Sequence, residues 1–264
     1  MKKNHFAIVT ATMLFAGIAS AQSYKPNMSR EDSAAVTEVW KPEPPIVTPG
    51  STAADPPSDA ILLFDGKNLD EWVLKSDTTK TATWIVADNI LTVNKTSGDI
   101  QTRKKFTDYQ LHLEWRIPTN IAGTSQARGN SGVFLAATGN GEQGYEIQIL
   151  DCYNNKTYVN GQTGSIYKQT IPLANACRKP GEWQTYDIVW AAPRFNDDGS
   201  VKSPGRVTVI HNGVLLQNNA EVKGGTTWIG PPVYHKHGAA PIMLQAHGDK
   251  SEPISYRNIW VRVL

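Results

Sequence analysis

The feature that most constrains this chain is a period of two. From residue 60 onward, short runs of alternating apolar and polar residues follow one another, and no stretch holds a helical apolar period over three turns. The runs are 60–64, 83–86, 90–93, 109–117, 132–136, 145–150, 183–190, 206–210, 214–216, 242–246 and 254–263. They are rich in Val, Ile, Trp and Tyr, the residues that suit a pleated, half-buried surface. Asn212-Gly213 between two apolar runs marks a tight hairpin, and Asp88-Asn89 plays the same part. Many short strands with tight turns predict an all-β, two-sheet antiparallel sandwich over residues 60–264, long enough for one large core.

The alternation also sorts side chains by face. In Gly144–Asp151, Tyr145, Ile147 and Ile149 point one way and Glu146 and Gln148 the other. The carboxylate and amide are then about 7 Å apart along the strand. In 109–117, His112, Glu114 and Arg116 share a face opposite Leu111, Leu113, Trp115 and Ile117. In the run from Ile242, Gln245 and His247 share a face with Met243, and Asn130 precedes the strand that starts near Ser131. Three strands therefore each put two hydrogen-bonding side chains on one face. The expectation is that Glu114, Arg116, Glu146, Gln148, Gln245 and His247 line one concave surface. Planar amides, carboxylates and a guanidinium suit the vicinal hydroxyls of a sugar. Taken singly, Glu114 and Arg116 read equally as a surface ion pair, and His247 as a structural histidine.

Outside the strands, the two ends read differently. Residues 1–21 combine Lys2, Lys3 and His5, an apolar run from Phe6 to Ile18, and Ala19-Ser20-Ala21, which together spell a cleaved secretory signal. The expected location is periplasmic or secreted. Lys2 and Lys3 account for the formal net charge of +2, so the remaining chain is neutral. With no basic run, nucleic acid is a poor partner, and nothing after the signal is apolar and long enough for an integral membrane segment. Residues 22–59 read as an extended leader, because Pro42, Pro44, Pro45, Pro49, Pro56 and Pro57 disfavour helix and central strand. The only cysteines, Cys152 and Cys177, form a candidate disulfide for an oxidising compartment.

Seven segments carry a family resemblance. They are Leu63–Trp72, Leu113–Ile117, Gly129–Val133, Gly144–Asp151, Lys179–Trp183, Leu244–Gly248 and Tyr256–Ile259, in order along the body. Together they resemble the 3-keto-disaccharide hydrolase domain family. The resemblance implies a concanavalin A-like jelly roll of the glucanase type and action on glycosides oxidised at C3. Glu146–Asp151 is also similar to the Glu-x-Asp-x-x-Glu strand of laminarinase-like glycosidases. Here Gln148 replaces the middle Asp, and strict alternation turns Asp151 away from Glu146. Retaining hydrolysis needs its two carboxyl groups about 5–5.5 Å apart, so that route is disfavoured.

A 3-keto sugar offers another path. The ketone acidifies the C2 hydrogen, a base removes it, and the enolate expels the C1 substituent, with or without later addition of water. The expected catalytic groups are His247 and Glu146 as base and acid in either order, with Arg116 or a divalent cation on the enolate. Gln148, Gln245, Asn130 and Glu114 would hold hydroxyls, and Asp151 would assist substrate binding, support the site or ligate a metal. His235 and His237 read as a surface loop, with a two-histidine metal site as the alternative. The rival from another class is a non-catalytic carbohydrate-binding module, which would show exposed aromatics on the concave face; a laminin-G-like adhesion domain is a third reading.

Overall fold

The structure is a computed structural model in which residues 27–139 and 144–264 are described. The signal segment 1–21 lies outside the described residues. The chain divides into a unit ending at Ile46 and a unit spanning Val47–Leu264. In the first, Ser29 caps a short exposed helix, α1 (Arg30–Ala35), by accepting from Asp32 N at 3.0 Å. Trp40 and Ile46 are exposed.

The second unit is a β-sandwich. In chain order its strands are β1 (Ile61–Phe64), β2 (Trp72–Leu74), β3 (Ile85–Ala87), β4 (Ile90–Thr92), β5 (Ile100–Thr102), β6 (Tyr109–Arg116), β7 (Ser131–Phe134) and β8 (Glu146–Ile149). They continue with β9 (Trp183–Ala191), β10 (Arg194–Phe195), β11 (Val201–Ser203), β12 (Arg206–His211), β13 (Val214–Glu221), β14 (Met243–Leu244) and β15 (Ser255–Val263). An eight-stranded sheet runs β13-β12-β9-β6-β15-β4-β3, with β1 also paired to β15. A five-stranded sheet runs β2-β5-β14-β7-β8, and β10 and β11 pair separately. Both turns read as hairpins take positive φ, at Asp88 and Asn89 and at Asn212 and Gly213.

The two sheets meet through the faces that alternation made apolar. Leu111, Leu113 and Trp115 of β6 and Ile147 and Ile149 of β8 lie in one buried cluster. Each such side chain stabilises the fold by about 1.5–3 kcal/mol on burial. Two buried tyrosines tie the sheets: Tyr109 donates to Leu135 O at 2.6 Å and Tyr186 to Gln148 O at 2.7 Å. The polar faces must then point outward on opposite sides, which decides where the site residues lie.

Three details depart from the sequence expectation. Strands β2 and β5, three residues each, and the β10–β11 pair are too short to show alternation. Residues 47–58 belong with the sandwich, where Ala54 O accepts from Asn258 Nδ2 at 2.9 Å and Trp260 Nε1 at 3.0 Å. Cys152 and Cys177 are free thiols, not a disulfide. The Cys152 sulfur instead accepts from the Thr163 amide and hydroxyl, both at 3.3 Å. The sulfurs are neighbours all the same: a hydrogen bond from Cys177 holds the Cys152 thiol below its ordinary value.

Candidate active site

Adjacent strands β14, β7 and β8 bring the polar groups together. Gly132 pairs with Gln148, Phe134 with Glu146 and Met243 with Phe134, while Gln245 N donates to Gly132 O at 3.0 Å. Glu146, Gln148, Gln245, His247 and Asn130 line a cleft of about 960 Å³. Met243 and Phe134, with Ala137, form a small apolar cluster separate from the main core. Gly132 leaves space for the carboxyl: a Cβ there would stand 2.5 Å from Glu146 Oε1, so a larger residue would displace the Glu146 side chain. The glycine makes the bed on which the carboxyl lies.

Glu146 is buried, and burial first, then the nearby Asp99 carboxylate, pushes its pKa up to about 8. The amides around it agree. Gln126 Nε2 donates to Thr157 Oγ1 at 2.8 Å and Gly161 O at 2.9 Å, and Asn130 Nδ2 donates to Gln126 O at 2.8 Å. Those bonds turn Gln126 Oε1 and Asn130 Oδ1 toward Gln148 Nε2, at 3.1 and 3.2 Å. The Gln148 oxygen then sits 2.8 Å from Glu146 Oε1. The same oxygen lies 3.2 Å from Ser131 O, so in this orientation it faces two acceptors, and a neutral Glu146 would supply a proton for the first contact. Reversing the Gln148 amide lets its nitrogen donate to Glu146 Oε1 and to Ser131 O, the arrangement that suits an ionised Glu146.

Across the cleft, His247 is held by Asp249. Nδ1 meets Asp249 Oδ2 at 2.8 Å and the Asp249 amide at 3.3 Å, which holds the ring through Nδ1 and leaves Nε2 as the nitrogen that Asp249 does not engage. Asp249 stays ionised well below the usual carboxylate range. Burial opposes this, but hydrogen bonds from His247 and from Ser251, and the Lys95 ammonium at 3.3 Å, outweigh it. An acid held neutral and a base held by a carboxylate thus face one sugar-sized space.

The comparisons fit this geometry. The model of the 3-keto-alpha-glucoside-1,2-lyase-like domain matches residues 59–262. The chain belongs to this family. It is similar to a candidate glycosyl hydrolase from Parabacteroides distasonis ATCC 8503, solved at 2.13 Å resolution, with 55% identity and a TM-score of 0.83. That likeness covers 92% of this chain and 100% of the other. Two further candidate glycosyl hydrolases from the same organism share the fold. One has 21% identity and a TM-score of 0.57, covering 78% of this chain and 94% of its own. The other has 23% identity and a TM-score of 0.55, covering 78% and 99%. No curated protein matches.

In this lyase-like domain, three residues expected in the cleft lie elsewhere. Glu114 and Arg116 are on β6, in the eight-stranded sheet, with their side chains on its outer face. Glu114 accepts from Arg257 Nε at 2.6 Å and Asn258 Nδ2 at 3.0 Å. The Arg116 and Arg257 guanidinium groups lie 4.6 and 4.2 Å from the Trp183 ring centroid. The physical reason is the sandwich itself: both sheets are apolar inward, so their polar faces cannot share a hollow. Asp151 is buried off the cleft, accepting from Arg128 Nε at 2.7 Å and Tyr153 N at 3.0 Å. It braces the segment that carries Gln126 and Asn130, and it offers Glu146 no partner for retaining hydrolysis. His237 bridges Tyr145 Oη at 2.8 Å and Gly238 O at 2.7 Å, and His235 is exposed.

Two acidic residues of the site carry no periodic signal in the sequence. Asp249 follows His247 by two positions in a loop, and the His-Gly-Asp spacing is the one trace of it. Asp99 sits just before β5 and accepts from Ala246 N at 2.9 Å. Among the described residues, no group of three or more His, Cys, Asp or Glu is placed to hold a metal ion.

Proposed function

We propose that this protein is a carbohydrate-processing enzyme that cleaves 3-keto-glycosides by β-elimination. The carrying observation is the meeting, in one cleft, of a carboxylate-held His247 with a buried Glu146, whose pKa burial pushes up to about 8. His247 Nε2 takes the C2 proton, and the C2–H electron pair forms the C2–C3 enolate. The enolate then collapses: the C3 carbonyl returns, a C1–C2 double bond forms and the C1–O bond breaks. Glu146 gives its proton to the departing oxygen. Addition of water across the double bond would make the net reaction a hydrolysis. With Arg116 on the far face, Asn130, Gln148 and Gln245 are the neutral groups on hand for the sugar oxygens. No step is assigned to a divalent cation. The family match and the related glycosyl hydrolase candidates support this reading, as does the signal-like start for an exported enzyme.

The test is turnover of a 3-keto-glucoside in deuterated water. Deuterium at C2 of recovered substrate or hydrated product, or an unsaturated product with no hydrogen at C2, is expected; a saturated product that keeps the original C2 hydrogen overturns the mechanism. A non-catalytic sugar-binding role has its own observation, the exposed aromatics Trp228 and Tyr158 at the cleft. Saturable binding with no product from any 3-keto-glucoside would establish that role instead.

A further inference from the structure

One wall of the cleft is aromatic. Tyr158, Tyr167 and Trp228 line it. Trp228 is 74% exposed and Tyr158 40%, a large apolar area left open beside a polar floor. The wall is built rather than incidental. Lys168 Nζ lies 5.7, 5.8 and 6.0 Å from the centroids of Tyr158, Tyr167 and Trp228, and donates to Trp228 O at 2.6 Å. The two tyrosine hydroxyls share a hydrogen bond of 2.6 Å. Lys168 is itself held at φ 59, a left-handed conformation that a lysine keeps only where its surroundings insist.

The wall is also fixed to the reacting end of the cleft. Thr226, two residues before Trp228, accepts from Glu146 N at 3.0 Å and donates its own amide to Gly144 O at 2.7 Å. The loop that carries Trp228 is therefore tied to the strand that carries Glu146, and both residues line the same cleft. Sugar rings present an apolar C–H face and aryl rings a flat one, and either suits an open indole.

We infer that this wall is the subsite for the group carried at C1, and that it takes a ring with an apolar face, either a second pyranose or an aryl ring. That assignment to C1 rests on the reaction proposed above; the stacking itself does not. The experiment compares the protein with Trp228→Ala on three 3-keto-glucosides that carry methyl, glucosyl or nitrophenyl at C1. The ratio of kcat/KM on each ring-bearing substrate to that on the methyl glycoside should fall about tenfold, mainly through KM. A fall confined to one ring substrate identifies the source of the ring; ratios that do not move overturn the proposal. Calorimetric titration with an unoxidised disaccharide and with methyl glucoside separates the two hypotheses. Weaker binding of the disaccharide alone to the variant supports the subsite even where nothing is turned over. Equal binding by both proteins overturns it, whatever the fate of the reaction.

Discussion

Glu146 has two neighbours that say what it is for. Gly132 leaves room for its carboxyl, and the Gln148 amide lies 2.8 Å away, where its oxygen suits a protonated Glu146 and its nitrogen, after a turn of the amide, an ionised one. With the folded pKa near 8, the rate should fall as pH rises through about 8, and Glu146→Gln should lose both the activity and that limb. Stability carries the same signature. The folded protein holds the Glu146 proton more tightly than the unfolded chain, whose carboxyl titrates at its ordinary value of 4.5. The resulting stabilisation is full below pH 4.5 and declines by about 1.4 kcal/mol per pH unit until the folded pKa is passed. Urea melts across pH 5–9 should show Glu146→Gln gaining on the parent toward the alkaline end. Asp249→Asn should cut kcat by about 100-fold or more with little change in KM, because it removes the group that orients His247. Equal kcat values would relieve His247 of the base role. Glu146 and Gln148 could be read from the chain because strand alternation exposes them. Asp249 and Asp99 sit at loop positions, where no period marks a face.

Among the elements, β6 is the instructive one. Its alternation correctly separates His112, Glu114 and Arg116 from Leu111, Leu113 and Trp115, but alternation does not say to which sheet a strand belongs. That depends on pairing across long stretches of chain, β6 with β15 and β9, and no local pattern encodes it. The outer face of β6 is a charged brace. Burial opposes the charge on His112, but hydrogen bonds to Asp187 and Glu114 raise its pKa to about 9. Burial likewise opposes ionisation of Glu114, but His112, Asn258 and Arg257 bring it down to about 2. The histidine contribution is full below its unfolded value of 6.5 and lost as pH rises through 9. The glutamate contribution is present above 4.5 and lost as pH falls through 2. Glu114→Ala leaves His112 with Asp187 as its carboxylate but removes the acceptor of Arg257 and Asn258, and should cost about 2 kcal/mol in denaturant melts. Arg116→Ala should leave kcat/KM on a 3-keto-glucoside where it was; a hundredfold loss would return Arg116 to the chemistry.

For the molecule as a whole, the sandwich followed from the sequence because its two-residue period persists through nearly every long strand. The cleft followed only in part, since its aromatic wall is carried by loops. The thiol pair belongs to this scale too. Cys152 and Cys177 lie 25 positions apart in the chain yet adjoin in space. Mild oxidation should join them and raise the thermal midpoint, with dithiothreitol reversing the gain; closing such a loop stabilises by about 3 kcal/mol in the chain-entropy model. An unchanged midpoint after confirmed oxidation would show that the bond strains the native packing.

Among the described residues, every side chain that lines the cleft comes from the narrower sheet or from loops running into or out of it, while the broad sheet stands behind as a backing plate. Anchored to a bead through the exterior of that plate, the protein would keep its mouth open to the liquid. Surface engineering there could proceed without disturbing the reacting groups.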